Sequence, residues 1–134
     1  KRAAEDAAET LVEYVDADSD PGLQKVTFKA LGEIGSEAAT GPIANKLVAD
    51  NEQIRPHAAR ALGLIGDTRA IDPLADTLAD DESDETRAAA AWALRQIGTE
   101  RALAAAAEYV DDRAYLVQHE AEQATDALAV EQPA

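Results

Sequence analysis

The sequence predicts an all-α fold, an α-α superhelix of stacked helical hairpins, on three observations. The first is a repeat. Ala30-Leu31-Gly32-Glu33-Ile34-Gly35 returns as Ala61-Leu62-Gly63-Leu64-Ile65-Gly66 and again as Ala93-Leu94-Arg95-Gln96-Ile97-Gly98. An altered copy, Ala124-Thr125-Asp126-Ala127-Leu128-Ala129, follows at the same near-constant interval. A fixed period of roughly 20 to 50 residues marks an array whose units complete their cores only against their neighbours. The second observation is that apolar residues recur at intervals of three and four, the period of a helix with one buried side. The third is punctuation: Gly35, Gly66 and Gly98 close the motif, and Pro42 and Pro73 follow at matching places.

Lys1 to Asp16 reads as a leading helix and half repeat (1–16), with Ala4, Ala7, Ala8, Leu11, Val12 and Val15 on one side. Asp16 to Gly22, with its short acidic residues, Pro21 and Gly22, breaks it. Three full repeats are expected at 23–50, 54–81 and 85–112. Their first helices are Leu23 to Ile34, Ile54 to Ile65 and Glu85 to Ile97. Their second helices are Ala38 to Ala49, Arg69 to Leu78 and Arg101 to Val110. The repeat-closing glycines supply a backbone conformation that a side chain would oppose. Pro42 and Pro73 fall in the first turn of second helices, where a missing N–H costs little. Tyr115 to Ala129 (115–129) reads as a capping helix, because Glu122 and Thr125 stand where earlier units carry Ala91 and Leu94. Val130 to Ala134 (130–134) reads as a frayed tail. Lys1 is not an initiator methionine, which suggests a processed form or a piece of a longer chain.

At 100° per residue the faces follow. Leu23, Thr27, Ala30, Leu31 and Ile34, with their equivalents, should be buried, and Lys25, Lys29, Glu33, Arg60, Trp92 and Gln96 should face away. In the second helices the expected buried pairs are Ile43 with Leu47, Leu74 with Leu78, and Ala106 with Val110. Leu11 with Val15 plays that part in the leading helix. The opposite ridge carries Glu13 and Tyr14, Asn45 and Lys46, Asp76 and Thr77, and Glu108 and Tyr109. Arg55 and Arg87 share a repeat position at the edge of the buried side, where a turn carboxylate such as Asp67 is the expected partner.

Composition narrows the chemistry. The 134 residues suit one domain, and 46% are hydrophobic. Alanine supplies about a quarter of the chain, so the helices must approach closely to exclude water. There are 27 acidic and 12 basic residues, for a net charge of -15, which disfavours binding to nucleic-acid phosphates. Acidic residues on every helix, with eight Arg against four Lys, resemble proteins of salt-accumulating halophiles. The other reading of the acidity is a dedicated surface for a basic partner. The absence of cysteine removes disulfides, thiolate nucleophiles and Cys-type zinc sites. No apolar run approaches a membrane span of about 18 residues, and a soluble cytoplasmic protein is expected.

Ile54-Arg55, Ala58 to Asp67 and Ala70-Ile71-Asp72-Pro73-Leu74 together resemble the short HEAT-like repeat of the phycobilisome lyase type. The resemblance covers about Leu23 to Ala129. It implies a right-handed superhelix of antiparallel helix pairs with second helices on the concave side. Two enzyme types use related repeats. The deoxyhypusine hydroxylase type holds two irons with several His-Glu pairs, and this chain resembles it at His119-Glu120. Its equivalent positions are Lys25-Val26, Pro56-His57 and Ala88-Ala89, and His57 aligns with Glu120 rather than His119. One pair is not a closed metal site. For the chromophore lyase type no residue-specific chemistry carries over, since there is no Cys and no His on the ridge.

No nucleophile with an adjacent base and no phosphate-binding Gly loop is present, and no cofactor is expected. The reading is therefore a non-catalytic interaction scaffold that takes a protein partner, a basic helix or tail, along the ridge of Glu13, Tyr14, Asn45, Lys46, Asp76, Thr77, Glu108 and Tyr109. Trp92 is a further anchor candidate on the outer face, unless it lies flat on a neighbouring helix. The alternative is a regulatory or substrate-holding subunit, or a fragment, of a larger enzyme.

Overall fold

A computed structural model describes residues 2–16 and 20–131 of the chain. The acidic break at 17–19 and the tail at 132–134 lie outside the described residues. Eight α-helices follow in order among those described: α1 (Arg2–Asp16), α2 (Pro21–Ile34), α3 (Thr40–Asn45), α4 (Arg55–Ile65), α5 (Ile71–Asp80), α6 (Asp84–Ile97), α7 (Glu100–Ala107) and α8 (Tyr115–Glu131). Single 3-10 turns cover Glu37–Ala39, Lys46–Val48 and Thr68–Ala70. The first helices α2, α4, α6 and α8 pack side by side in chain order, and α1, α3, α5 and α7 form a second layer against them. The architecture is thus an all-α solenoid. None of the described helices is long and apolar enough to cross a membrane.

Local chemistry fixes the helix ends. Gly35, Gly66 and Gly98 have φ of 76°, 76° and 74°, and their N–H groups close the first helices onto the carbonyls of Leu31, Leu62 and Leu94. Asp20, Ser83 and Thr99 accept hydrogen bonds from the backbone N–H of Leu23, Thr86 and Ala102, capping α2, α6 and α7. Pro42 and Pro73 each occupy the third position of their helix.

Four sequence expectations need correction. The helix expected over Ala38 to Ala49 is broken into a 3-10 turn, the six residues of α3 and a second 3-10 turn. Gly41 and Asn45, where the next unit has Asp72 and Asp76, include the weakest helix former short of proline. Val110 is 37% exposed, because α7 ends at Ala107 and the stripe that would have buried it with Ala106 stops there. Leu23 is 45% exposed although its equivalents Ile54, Thr86 and Val117 are buried. It stands in the first turn of α2 at the end of the stack. The last helix runs on to Glu131, past the expected stop at Ala129.

The core lies between the layers. Phe28, Leu31, Ile43, Leu62, Leu74, Leu78, Leu94 and Val117 are fully buried, with many small alanines such as Ala59, Ala90 and Ala124 between them. On α8, Glu122 and Thr125 are exposed at the positions that Ala91 and Leu94 bury on α6. One core position is chemically out of place. Thr86 is fully buried and its Oγ1 has no hydrogen-bond partner among the described residues. A buried unpaired hydroxyl costs about 1–3 kcal/mol, and the array itself places Ile54 and Val117 at this position. Thr86→Val is therefore expected to raise stability by about 1 kcal/mol, read as a higher urea midpoint. A midpoint at or below wild type would mean that the hydroxyl is satisfied.

Polar ties join successive units. Asp67 is buried; its carboxylate accepts from Thr40 Oγ1 of the preceding unit at 2.9 Å, from the Arg69 backbone N–H at 2.9 Å and from the Arg69 guanidinium. Arg69 also reaches the Glu37 carbonyl at 3.1 Å. The Arg69 side-chain bond, more than the Thr40 bond, holds the Asp67 carboxyl down at about 2 against the opposing effect of burial. A carboxylate depressed in the folded state stabilises the fold above its unfolded value, 3.8, and that contribution is lost as pH falls towards 2. Asp67→Asn is expected to remove this share of the acid dependence. Thermal melts between pH 4 and pH 2 that fall equally steeply in both proteins would contradict it.

Candidate binding groove

Between α3 with its following 3-10 turn and α5 with the turn after it lies an open groove of about 630 Å³. Its apolar lining comes from Ala44, Leu47, Val48 and Pro73. Val48 is 82% exposed. Its polar rim carries Asn45, Asp76, Asp80 and Glu82, and the three acids among these form no ion pair among the described residues. Arg55 also reaches the groove, but its charge is committed: Nε and Nη2 donate to the two oxygens of Asp81 at 2.8 and 3.2 Å, and Nη1 donates to the Ala49 carbonyl at 3.0 Å. The groove therefore combines acidic side chains with an apolar lining of which Val48 is the exposed member.

Of the residues expected on the ridge, Asn45, Asp76 and Thr77 come together here. Thr77 does so differently from expectation. It is 6% exposed, and its hydroxyl donates to the Pro73 carbonyl at 3.0 Å. On a helical wheel it sits about 60° from Leu74, within the buried arc. Lys46 is half-buried beside the groove without lining it. Glu13 and Tyr14 are exposed on α1, and Glu108 and Tyr109 follow α7, so neither pair enters the groove. Tyr109 is partly buried against the core. Trp92 is half-buried on the layer of first helices, its ring against Gly63 of α4, and shares no pocket with the ridge. Val48, Pro73 and Glu82 were missed by sequence reasoning. The signal for Val48 was an apolar residue left over at the end of a second helix, past its buried pair.

The arginines at the repeat position pair with carboxylates, as expected in kind, but not with Asp67. Arg55 takes Asp81. Arg87, 5% exposed, donates through Nη2 to Asp112, through Nη1 to Asp84 at 3.2 Å and through Nε to the Leu78 carbonyl at 3.2 Å. In both cases the arginine links the end of one second helix to the turn after the next. Asp81 and Asp112 in turn accept the backbone N–H two residues on, from Ser83 and Ala114. Asp67 is occupied by Thr40 and Arg69, because it caps the turn at the other end of the hairpin.

The positions aligned with a two-iron site do not form one. Glu120 accepts a hydrogen bond from Arg95 Nε at 2.7 Å. The His119 ring stacks on Tyr115 with centroids 6.4 Å apart. The row otherwise holds Lys25, Val26, Pro56, His57, Ala88 and Ala89, and no group of three or more His, Cys, Asp or Glu residues converges among the described residues. These residues do not fit the donor set that such a centre needs.

Comparison with known proteins places this geometry. No curated protein matches the chain. Among solved structures it is similar to human deoxyhypusine hydroxylase, determined in complex with glycerol, at 28% identity and a TM-score of 0.78, over 90% of this chain and 43% of that one. The chain thus spans less than half the length of that enzyme. The family model of HEAT repeats matches residues 41–126, the part that carries the groove, Arg55 and Arg87, and the helices closed by Gly66 and Gly98. On that match and on the stacked hairpins seen here, the chain belongs to the HEAT-repeat family.

Proposed function

We propose that the protein is a non-catalytic interaction scaffold whose groove between α3 and α5 holds a basic segment of a partner protein. HEAT-repeat membership supports the general role. The groove supports the finer one: Asp76, Asp80 and Glu82 form no ion pairs among the described residues, and they line the same groove as the exposed side chain of Val48. A rigid surface of this kind avoids ordering costs on association, and like-signed rim charges steer a basic ligand. The acid excess over the remaining surface serves equally as salt adaptation, and the phycobilisome-lyase subtype of the repeat is consistent with a structural motif that carries no chemistry of its own.

A labelled amphipathic peptide of Lys and Leu at helical spacing serves as the probe. Neutralising the rim with Asp76→Asn, Asp80→Asn and Glu82→Gln, or Val48→Ser alone, is expected to weaken its binding about tenfold. Neutralising Glu5, Asp6 and Glu9 on α1 changes the net charge equally and is expected to leave binding within about twofold. Equal losses from both sets would reduce the effect to bulk charge and remove the groove from the account. A second reading, a part or subunit of a larger hydroxylase-type enzyme, is favoured by the 28% identity to less than half of such an enzyme. A flanking coding sequence that adds His-Glu-bearing repeats would favour it.

A further inference from the structure

The layer of first helices carries a second concavity of opposite character. About 380 Å³ in volume, it lies between α2 and α4 and is lined by Lys25, Val26, Lys29, His57, Arg60, Ala61 and Leu64. Six arginines, Arg55, Arg69, Arg87, Arg95, Arg101 and Arg113, make all seven ion pairs among the described residues. Lys25, Lys29 and Arg60 make none among the described residues, in a chain rich in acidic side chains. Like charges one turn apart, as Lys25 and Lys29 are on α2, destabilise a helix. Three cations without ion-pair partners therefore gather on one surface of a chain whose net charge is -15.

The floor of the same pocket is apolar and uncovered: Val26 is 65% exposed and Leu64 50%. At the corresponding step between α4 and α6 the Trp92 ring lies against Gly63 and fills the space. Here the residue at the repeat position of Trp92 is Arg60, and the space stays open. Burial first, then Lys25 and Arg60, depress the basicity of His57, with Glu85 opposing. Its ring therefore offers polar edges rather than a further charge.

We propose that this pocket docks an acidic, amphipathic segment of a partner protein, one apolar side chain seated on Val26, Ala61 and Leu64 and carboxylates paired with Lys25, Lys29 and Arg60. The chemistry selects this occupant. The cations are spread over two helices, Lys25 and Lys29 about one turn of 5–6 Å apart on α2 and Arg60 on α4 beside the uncharged His57 ring, which matches charges spread along a peptide. A free inorganic anion would use neither that spread nor the apolar floor, and a pocket of this size takes one or two side chains. The protein thereby offers two faces of opposite charge preference, one on each layer.

The test uses the full chain and a labelled helical peptide with Leu at i and i+4 flanked by Glu. Wild type binds it despite the overall repulsion, and Lys25→Gln with Lys29→Gln and Arg60→Gln weakens binding at least about tenfold. Val26→Ser with Leu64→Ser weakens it about fivefold, and replacing Glu by Gln in the peptide abolishes the salt dependence. All five positions are exposed, and circular dichroism monitors folding. Equal binding of the Glu and Gln peptides would overturn the proposal. So would displacement by inorganic tripolyphosphate together with indifference to the Val26 and Leu64 changes, which would leave an anion site only. Self-association of the protein that the three Gln substitutions abolish would assign the pocket to a second copy and overturn it equally.

Discussion

Replacing Arg87 with alanine is expected to lower the unfolding free energy by about 3–5 kcal/mol, the usual consequence of removing one partner from a buried ion pair. Arg87 is 5% exposed and its side chain joins three parts of the array: the Leu78 carbonyl at the end of α5, Asp84 at the start of α6 and Asp112 in the turn before α8. The Asp112 side chain is itself only 10% exposed. Without Arg87 that carboxylate is left buried without its charge partner, while the Leu78 carbonyl loses a donor. The loss should spread locally, because Asp112 also accepts the Ala114 N–H and its carbonyl accepts from Gln118. Faster hydrogen exchange is therefore expected first in the initial turn of α8. Arg87→Met with Asp112→Asn, which leaves no orphaned charge, should cost less than Arg87→Ala alone. Urea unfolding compares these proteins with wild type. A loss below about 1 kcal/mol for Arg87→Ala would show that the buried network contributes little beyond its desolvation cost.

That network also marks where sequence reasoning ends. The near-constant repeat period, the helical spacing and the glycines at 35, 66 and 98 made the stack of hairpins legible, because each is a local backbone requirement repeated in register. Arg55 and Arg87 could be seen to share a position and to want carboxylates. Their partners Asp81 and Asp112 lie 26 and 25 residues away, in the turns that end their own units, and only the packing of adjacent hairpins selects them over Asp67. The groove was half legible for the same reason. Asn45 and Asp76 follow from the wheel, but Val48 enters through the 3-10 turn that replaced the end of an expected helix. Lys25, Lys29 and Arg60 were legible as outward-facing residues. Their convergence on one apolar pocket depends on α2 and α4 lying side by side, which no single helix encodes.

How closely those first helices lie is set by glycine, and Gly63→Ala is expected to destabilise the protein by about 2 kcal/mol through overpacking. A methyl at position 63 would stand 2.8 Å from the Ala93 Cα, 2.8 Å from Trp92 Cζ3 and 3.0 Å from the Ala93 Cβ. The first of these is backbone of α6, which packs against α5, α7 and α8 as well and cannot withdraw alone. Overpacking of this kind costs about 1–3 kcal/mol, against which alanine recovers up to about 1 kcal/mol of helix propensity. Two other glycines calibrate the result. At Gly32 the nearest atoms are the Cδ1 and Cβ of Leu64, at 3.0 and 3.2 Å, and the Ala61 Cα at 3.4 Å. The half-exposed Leu64 can turn its Cδ1 away, the two remaining contacts are milder than those at Gly63, and the helix propensity gained offsets them, so Gly32→Ala should be close to neutral. At Gly41, inside α3, an added methyl meets nothing within 4 Å. Gly41→Ala should therefore stabilise by about 0.5–1 kcal/mol. The expected order of urea midpoints is Gly41→Ala above wild type, Gly32→Ala near it and Gly63→Ala well below. Fluorescence of Trp92, the only tryptophan, reports the same contact, since its ring must leave Gly63 before α4 and α6 can separate. A Gly63→Ala protein as stable as wild type, with unshifted emission, would mean that the two helices are not held at the distance that only a glycine permits.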